Sequence, residues 1–263
     1  MDETLVYLDP SPRGEWALAL AALLPAARRE RVCLLATAED VAAHPDLVAR
    51  ARAALGPAGE LRESVLPGPA ERAVAGEARQ RRFGLIVVPP AGRNALQRML
   101  RGSRVATVVK SVHAPVLVAR RPPARLERVL AAVSGRASTD AVAAAAEELA
   151  SAALVRYVHV ASEVALPHVS PANGPRDEGL ARLRERLAAA GREQDLVLRD
   201  GLVVDEVLEE FEAGAYQLLV VGAQGEPGAG PDWLREDVTE RLLLRCPAST
   251  LIVPTAQEGA PVS

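Results

Sequence analysis

The middle of this chain occurs twice. The string VLPGPAERAVAGEARQRRFGLIVVPPAG, residues 65–92, runs without a gap against LRDGLVVDEVLEEFEAGAYQLLVVGAQG, residues 198–225. Gly68 falls opposite Gly201, Pro89 opposite Gly222 and Gly92 opposite Gly225, each at an offset of 133. The first strand of each half aligns at a smaller offset, Asp9 opposite Ser134 (134 − 9 = 125), and the last strands align at 135, Val116–Val118 opposite Leu251–Val253. Small loop changes account for the drift. A chain of 263 residues that repeats in this way is two domains of ordinary size rather than one large one.

Each half carries short apolar runs separated by longer Ala/Arg/Glu/Leu stretches of helical spacing. The predicted strands are Thr4–Leu8, Val32–Ala36, Leu61–Leu66, Leu85–Val88 and Val116–Ala119, then Val129–Val133, Val155–Val160, Gln194–Leu198, Leu218–Val221 and Thr250–Val253. Strands that are apolar throughout and alternate with helices predict parallel pairing with both sheet faces covered. The expected domains are 1–121 and 128–254, joined by a linker over 122–127 whose Pro122 and Pro123 disfavour helix, with a polar tail at 255–263.

Composition excludes several classes. A net charge of −3 gives no basis for non-specific nucleic-acid or membrane binding, and 3% aromatic residues leave little for base stacking. The apolar run from Trp16 to Ala27 contains Pro25 and is shorter than the roughly 20 residues of a membrane span. An acidic, strand-like amino terminus is no secretory signal, and Cys33 and Cys246 read as small buried hydrophobes, so a cytoplasmic location is expected. Lys110 is the only lysine. The four histidines, His44, His113, His159 and His168, have no metal-ligand spacing, and no metal site or catalytic residue is expected.

Ligands of parallel sheets settle at the carboxyl ends of the strands. Asp9-Pro10-Ser11 follows the first strand of the chain. Pro89-Pro90-Ala91-Gly92 follows the fourth, which ends at Val88, and nine residues separate Gly92 from Gly102-Ser103. Glycines let backbone N–H groups approach phosphate oxygens, a helix amino terminus adds partial positive charge, and Ser103 adds a hydroxyl donor. Arg93, Arg98, Arg101 and Arg104 surround this loop. A turn and helix cap would use Gly and Ser at the same places. Proline at 89 removes one N–H donor.

This arrangement resembles the universal stress protein family, whose nucleotide-binding members carry Gly-x-x-Gly, nine residues, then Gly-Ser or Gly-Thr. Gly92 and Gly102-Ser103 match, Pro89 replaces the first glycine, and RVATVVKSVHAPVLVAR resembles the family's last helix and strand. The resemblance implies α/β architecture: two tandem doubly wound domains, Rossmann-like and similar to adenine nucleotide alpha-hydrolases, each with a five-stranded mostly parallel sheet. It implies an adenine nucleotide such as ATP, with or without Mg²⁺, held in the first copy by Leu8, Asp9, Ala36, Thr37, Val88, Gly92, Arg93, Gly102, Ser103 and Arg104. It also implies that the closing strands of the two copies pair, so that one chain imitates a dimer, with a homodimer of chains also open. The expected role is a stress-response regulator with at most slow ATP hydrolysis; the alternative is a structural or interaction module that binds no nucleotide.

The second copy keeps Gly222 and Gly225 but has Glu236-Asp237 in place of Gly-Ser, and Ser134 in place of Asp9. A carboxylate about 4 Å from phosphate costs on the order of 4 kcal/mol at an effective dielectric near 20. This second site is expected to be degenerate. The run from Ser134 to Thr139 is distantly similar to the Ser-Gly-Gly-x-Asp-Ser loop of adenylating enzymes, but the second glycine and the aspartate are absent, and a helix cap explains it.

Overall fold

The computed structural model describes residues 2–56, 59–90, 112, 114–136, 138–150, 153–161, 178–223 and 238–254. The chain divides into two units, Met1–Leu126 with Pro247–Ile252, and Glu127–Cys246 with Val253–Ser263.

The first unit runs β1 (Glu3–Tyr7), α1 (Gly14–Ala22), α2 (Ala26–Arg29), β2 (Arg31–Thr37), α3 (Ala38–Ala43), α4 (Leu47–Leu55), β3 (Glu60–Leu66), α5 (Ala70–Gln80), β4 (Phe83–Val88) and β5 (Val116–Val118). Its strands lie in the order β3-β2-β1-β4-β5, all parallel. Every residue of β1 and β4 is buried, which requires cover on both faces, whereas β3 mixes exposed and half-buried positions as an edge strand does. The second unit runs β6 (Arg128–Ala132), α6 (Ser138–Leu149), β7 (Leu154–Ala161), α7 (Glu178–Ala189), β8 (Leu196–Asp200), α8 (Val203–Ala213), β9 (Leu218–Ala223) and α9 (Val238–Arg245). Its parallel order is β9-β6-β7-β8.

The last strand, β10 (Ser249–Pro254), lies in the repeat position of a fifth strand for the second copy. It pairs antiparallel with β5, Thr250 opposite Val118 and Ile252 opposite Val116. Ser249 fixes this register: its Oγ accepts from the Arg120 N–H and donates to the Arg120 carbonyl, both at 3.0 Å.

Two features repeat in detail. Gly68 and Gly201 follow the third strand of each unit with φ of 89° and 143°, a region in which a side chain is strained. Glu77 on α5 and Glu210 on α8, 133 positions apart, are both buried, and each meets an arginine of the preceding strand. Arg62 reaches Glu77 at 2.7 Å and Glu3 at 3.1 Å; Arg199 reaches Glu210 and Glu206 at 3.0 Å. A hydroxyl completes each site, from Ser64 (2.9 Å) or Tyr216 (3.1 Å). These pairs pin the helix after the third strand of each unit, α5 and α8, against its edge strand.

Most predicted strands keep their place with bounds shifted by one or two residues, and one shift has a visible cause. The predicted run Gln194–Leu198 begins instead at Leu196, because Glu193–Asp195 forms a 3₁₀ turn. Asp195 is buried there and accepts from Arg192 Nε at 2.8 Å, a pairing that hydrophobic periodicity does not register. Cys33 and Cys246 are both buried thiols. Among the described residues no helix is long and apolar enough to cross a membrane.

Candidate functional site

Three strand ends and the helices that follow them build a cleft of about 310 Å³ in the first unit. Its walls are Tyr7, Asp9, Pro10 and Ser11 after β1, Thr37, Glu39 and Asp40 after β2, and Gly68, Pro69 and Ala70 after β3. The volume is at the lower end of the range for small-molecule sites. The loop after β1 is tight because α1 begins on top of it: a Cβ at Gly14 would overlap the Asp9 carbonyl oxygen. Within the loop Asp9 Oδ1 accepts from the Ser11 N–H at 2.7 Å, so the carboxylate is held by its own turn.

On the second strand, Thr37 is the N-cap of α3 and accepts from the Asp40 N–H at 3.1 Å. The Asp40 carboxylate turns back. Its Oδ2 accepts from Thr37 Oγ1 at 2.7 Å and from the Tyr7 hydroxyl at 3.1 Å, tying β1 to α3. Burial, followed by the nearby Asp40 charge, raises the Tyr7 phenol well above its ordinary value, so it stays a donor. The cleft therefore offers hydrogen-bond acceptors, and no cation is among its described walls.

The residues expected to hold a ligand are placed as follows. Asp9 and Thr37 line the cleft. Leu8, Ala36 and Val88 are buried at the ends of their strands, where the Leu8 N–H already donates to Leu35 and the Val88 carbonyl accepts from Ala119. Gly92, Arg93, Gly102, Ser103 and Arg104 lie outside the described residues, as do Gly225 and Glu236-Asp237. Tyr7, Glu39 and Asp40 were not anticipated. Their signal was present in Thr37-x-x-Asp40, a helix-start pattern, and in Tyr7 lying two residues before Asp9 on a strand.

The second unit repeats the register of the first two strands and carries different side chains. Leu35 stands opposite Tyr7, and Val158 opposite Ala132, so Ala132 takes the place of Tyr7 and Val160 that of Thr37. The ladder continues alike in both, Leu8 N to Leu35 O at 2.7 Å and Val133 N to Val158 O at 2.9 Å. Ser134, in the position of Asp9, meets Ser138 Oγ at 3.0 Å and accepts from the Arg136 N–H at 3.3 Å. The start of α7 rests on this loop: the Leu180 N–H donates to Gly135 O at 3.2 Å, and a Cβ at Gly179 would overlap the Arg136 carbonyl. The Gly222 carbonyl accepts from Thr239 Oγ1 at 2.8 Å. Among the described residues no group of three or more His, Cys, Asp or Glu is placed to hold a metal ion.

Known proteins divide along the same lines. The universal stress protein family matches residues 2–120 and again residues 125–254. Among solved structures, a universal stress protein from Archaeoglobus fulgidus gives a TM-score of 0.68 at 16% identity, covering 96% of this chain and 98% of that one. A functionally unknown protein from Pseudomonas aeruginosa PAO1 gives 0.66 at 16% identity, over 97% and 92% of the two chains. A putative universal stress protein from Pseudomonas aeruginosa UCBPP-PA14 gives 0.63 at 16% identity, over 97% and 93%. No curated protein matches the chain at a significant level. Identities this low speak for the fold alone, whereas the two family matches take in nearly every residue from 2 to 254. The chain belongs to the universal stress protein family, with two copies of its domain in tandem.

Proposed function

We propose that the amino-terminal copy binds ATP or another adenine nucleotide and that the chain acts as a cytoplasmic stress-response regulator. The observation that carries this reading is the cleft at the carboxyl ends of β1, β2 and β3, with Asp9 and Thr37 in its walls. That is the face on which open parallel α/β sheets receive nucleotides, on the β1 side of the point between β1 and β4 where the strand order reverses. In this reading the base and ribose enter the cleft and the phosphates meet the loop carrying Gly92, Arg93, Gly102, Ser103 and Arg104. In this reading the domains are 1–121 and 128–254, and β10 pairs antiparallel with β5.

Titration calorimetry with ATP, comparing the parent with Gly102→Glu, tests the reading. The parent should bind and the variant should not; a parent that shows no binding at millimolar nucleotide overturns it. Occupancy at a hundred times the dissociation constant should add about 2.7 kcal/mol of stability.

For the carboxy-terminal copy a different reading is favoured, that of a structural module without nucleotide. Ala132 and Val160 supply no hydroxyl where Tyr7 and Thr37 supply two, and Ser134 replaces the carboxylate of Asp9. The Gly102→Glu variant separates the two copies, because any ATP still bound would have to sit in the second.

A further inference from the structure

The duplication rewrites one charge cluster near the amino-terminal ends of the strands. In the first copy Glu3 on β1, Cys33 on β2 and Arg62 on β3 lie on three neighbouring strands, and Arg62 joins Glu3 at 3.1 Å to Glu77 at 2.7 Å. One cation there serves two carboxylates. Strand pairing carries these positions into the second copy, where Leu130 opposite Arg156 repeats Leu5 opposite Cys33. Glu3 thus becomes Arg128 (128 − 3 = 125) and Cys33 becomes Arg156. The place of Arg62, one step before the Tyr157–Leu196 pair, falls to Asp195.

Two cations have replaced an acid and a thiol, and the carboxylates nearby are engaged with other arginines. Asp195 accepts from Arg192 Nε at 2.8 Å, while Glu210 meets Arg199 at 3.0 Å and the Tyr216 hydroxyl at 3.1 Å. Arg128 and Arg156 are both half-buried. They share a sheet face, because Arg128 stands two residues from Leu130, the partner of Arg156. Arg128 Cζ lies 5.1 Å from the centroid of the Tyr216 ring. Burial raises the Tyr216 phenol, and the nearby charge of Arg156 opposes that rise. The Nε of each arginine is shut off from solvent, and among the described residues it has no hydrogen-bond partner and the guanidinium no ion pair. Half-buried like charges without a counter-ion destabilise a fold, and a bound anion offsets them.

We propose that the amino-terminal ends of β6 and β7 hold a divalent oxyanion, inorganic phosphate or a phosphate monoester, between the terminal N–H groups of Arg128 and Arg156. A dianion matches two single positive charges. Its tetrahedral oxygens face two separate guanidinium forks, whereas the two oxygens of a carboxylate are filled by one. The site lies at the opposite end of the strands from Ser134 and Gly222, so it is distinct from any nucleotide position at the carboxyl ends.

Calorimetry and thermal unfolding of the full chain follow sodium phosphate, phenyl phosphate and, at matched ionic strength, sodium chloride. The parent should bind phosphate at millimolar concentrations and melt higher in it than in chloride. Arg156→Met should weaken that binding by about tenfold or more. In chloride it should melt no lower than the parent, because methionine keeps the apolar stem and removes an uncompensated charge. If Arg156→Met does not fold, Arg128→Gln carries the same binding expectation. Gly102→Glu, which alters the phosphate loop proposed for the first copy, should leave phosphate binding unchanged. Equal melting temperatures in phosphate and chloride, or phosphate binding that survives Arg156→Met, overturn the proposal. Binding lost in Gly102→Glu and kept in Arg156→Met overturns this site while leaving the nucleotide reading standing. Tighter binding of phenyl phosphate than of inorganic phosphate assigns the site to a phosphorylated metabolite, and the reverse order assigns it to free phosphate.

Discussion

The two copies share a parallel strand order and differ in what they place at its strand ends. After β1 and β2 the first copy gathers Tyr7, Asp9, Thr37 and Asp40 around an open cleft. The second puts Ala132, Ser134 and Val160 at the positions of Tyr7, Asp9 and Thr37, and lays the start of α7 across its loop. The difference teaches that this fold needs the apolar strand interiors and the pinned helix after the third strand, because both copies keep those. The strand-end polar groups are dispensable to the fold, because one copy does without them. A function tied to those groups belongs to one copy, which is how a duplicated domain divides scaffold from site.

The comparison is most easily broken at the buried carboxylates. Arg62→Met should leave Glu3 and Glu77, both buried, without their shared guanidinium and cost about 3–5 kcal/mol. Arg199→Met should cost less, since its second carboxylate, Glu206, is a quarter exposed whereas Glu3 is buried. Urea unfolding of the two variants checks the order; equal losses would mean that the two pins are energetically alike. Next is Gly14→Ala, which drives a methyl into the Asp9 carbonyl and should cost about 1–3 kcal/mol while reshaping the first cleft alone. Thermal unfolding reads the cost, and an unchanged melting temperature would show that the loop yields freely.

The smallest effect concerns pH. Burial raises the phenols of Tyr7, Tyr157 and Tyr216, each of which donates to a carboxylate: Asp40, Glu147 and Glu210 respectively. Burial also pushes the Cys33 thiol up to about 12. A raised pKa in an acid means that the folded state holds its proton longer than the unfolded state. The stability this contributes is fully present below the unfolded values, 9.0 for the thiol and 10.0 for the phenols, and is lost as pH rises past them. Denaturation midpoints should fall from about pH 9 upward, and Tyr7→Phe should flatten that fall; an alkaline limb unchanged in Tyr7→Phe would show that this phenol contributes nothing to it.

How much was legible beforehand depends on the kind of signal. The central strands were visible because burial on both faces demands unbroken apolar runs such as LIVV and LLVV. The duplication and its glycines were visible because Gly68 and Gly201 answer the same positive-φ requirement. The start of β8 was misplaced by two residues because the Arg192–Asp195 ion pair, not periodicity, turns the chain there. The Tyr7–Asp40 link was missed because residues 33 apart carry no local mark of meeting.

The amino-acid sequence alone determined the element types, the repeat and the family, since each follows from patterns within a few tens of residues: apolar spacing, turn glycines and their recurrence. Only the tertiary structure decided that Asp40 turns back to Tyr7, that α7 rests on the second loop, and that β10 meets β5 with Thr250 opposite Val118. Those contacts join segments far apart in the chain. Their partners are chosen by the geometry of packed sheets, which local sequence does not encode.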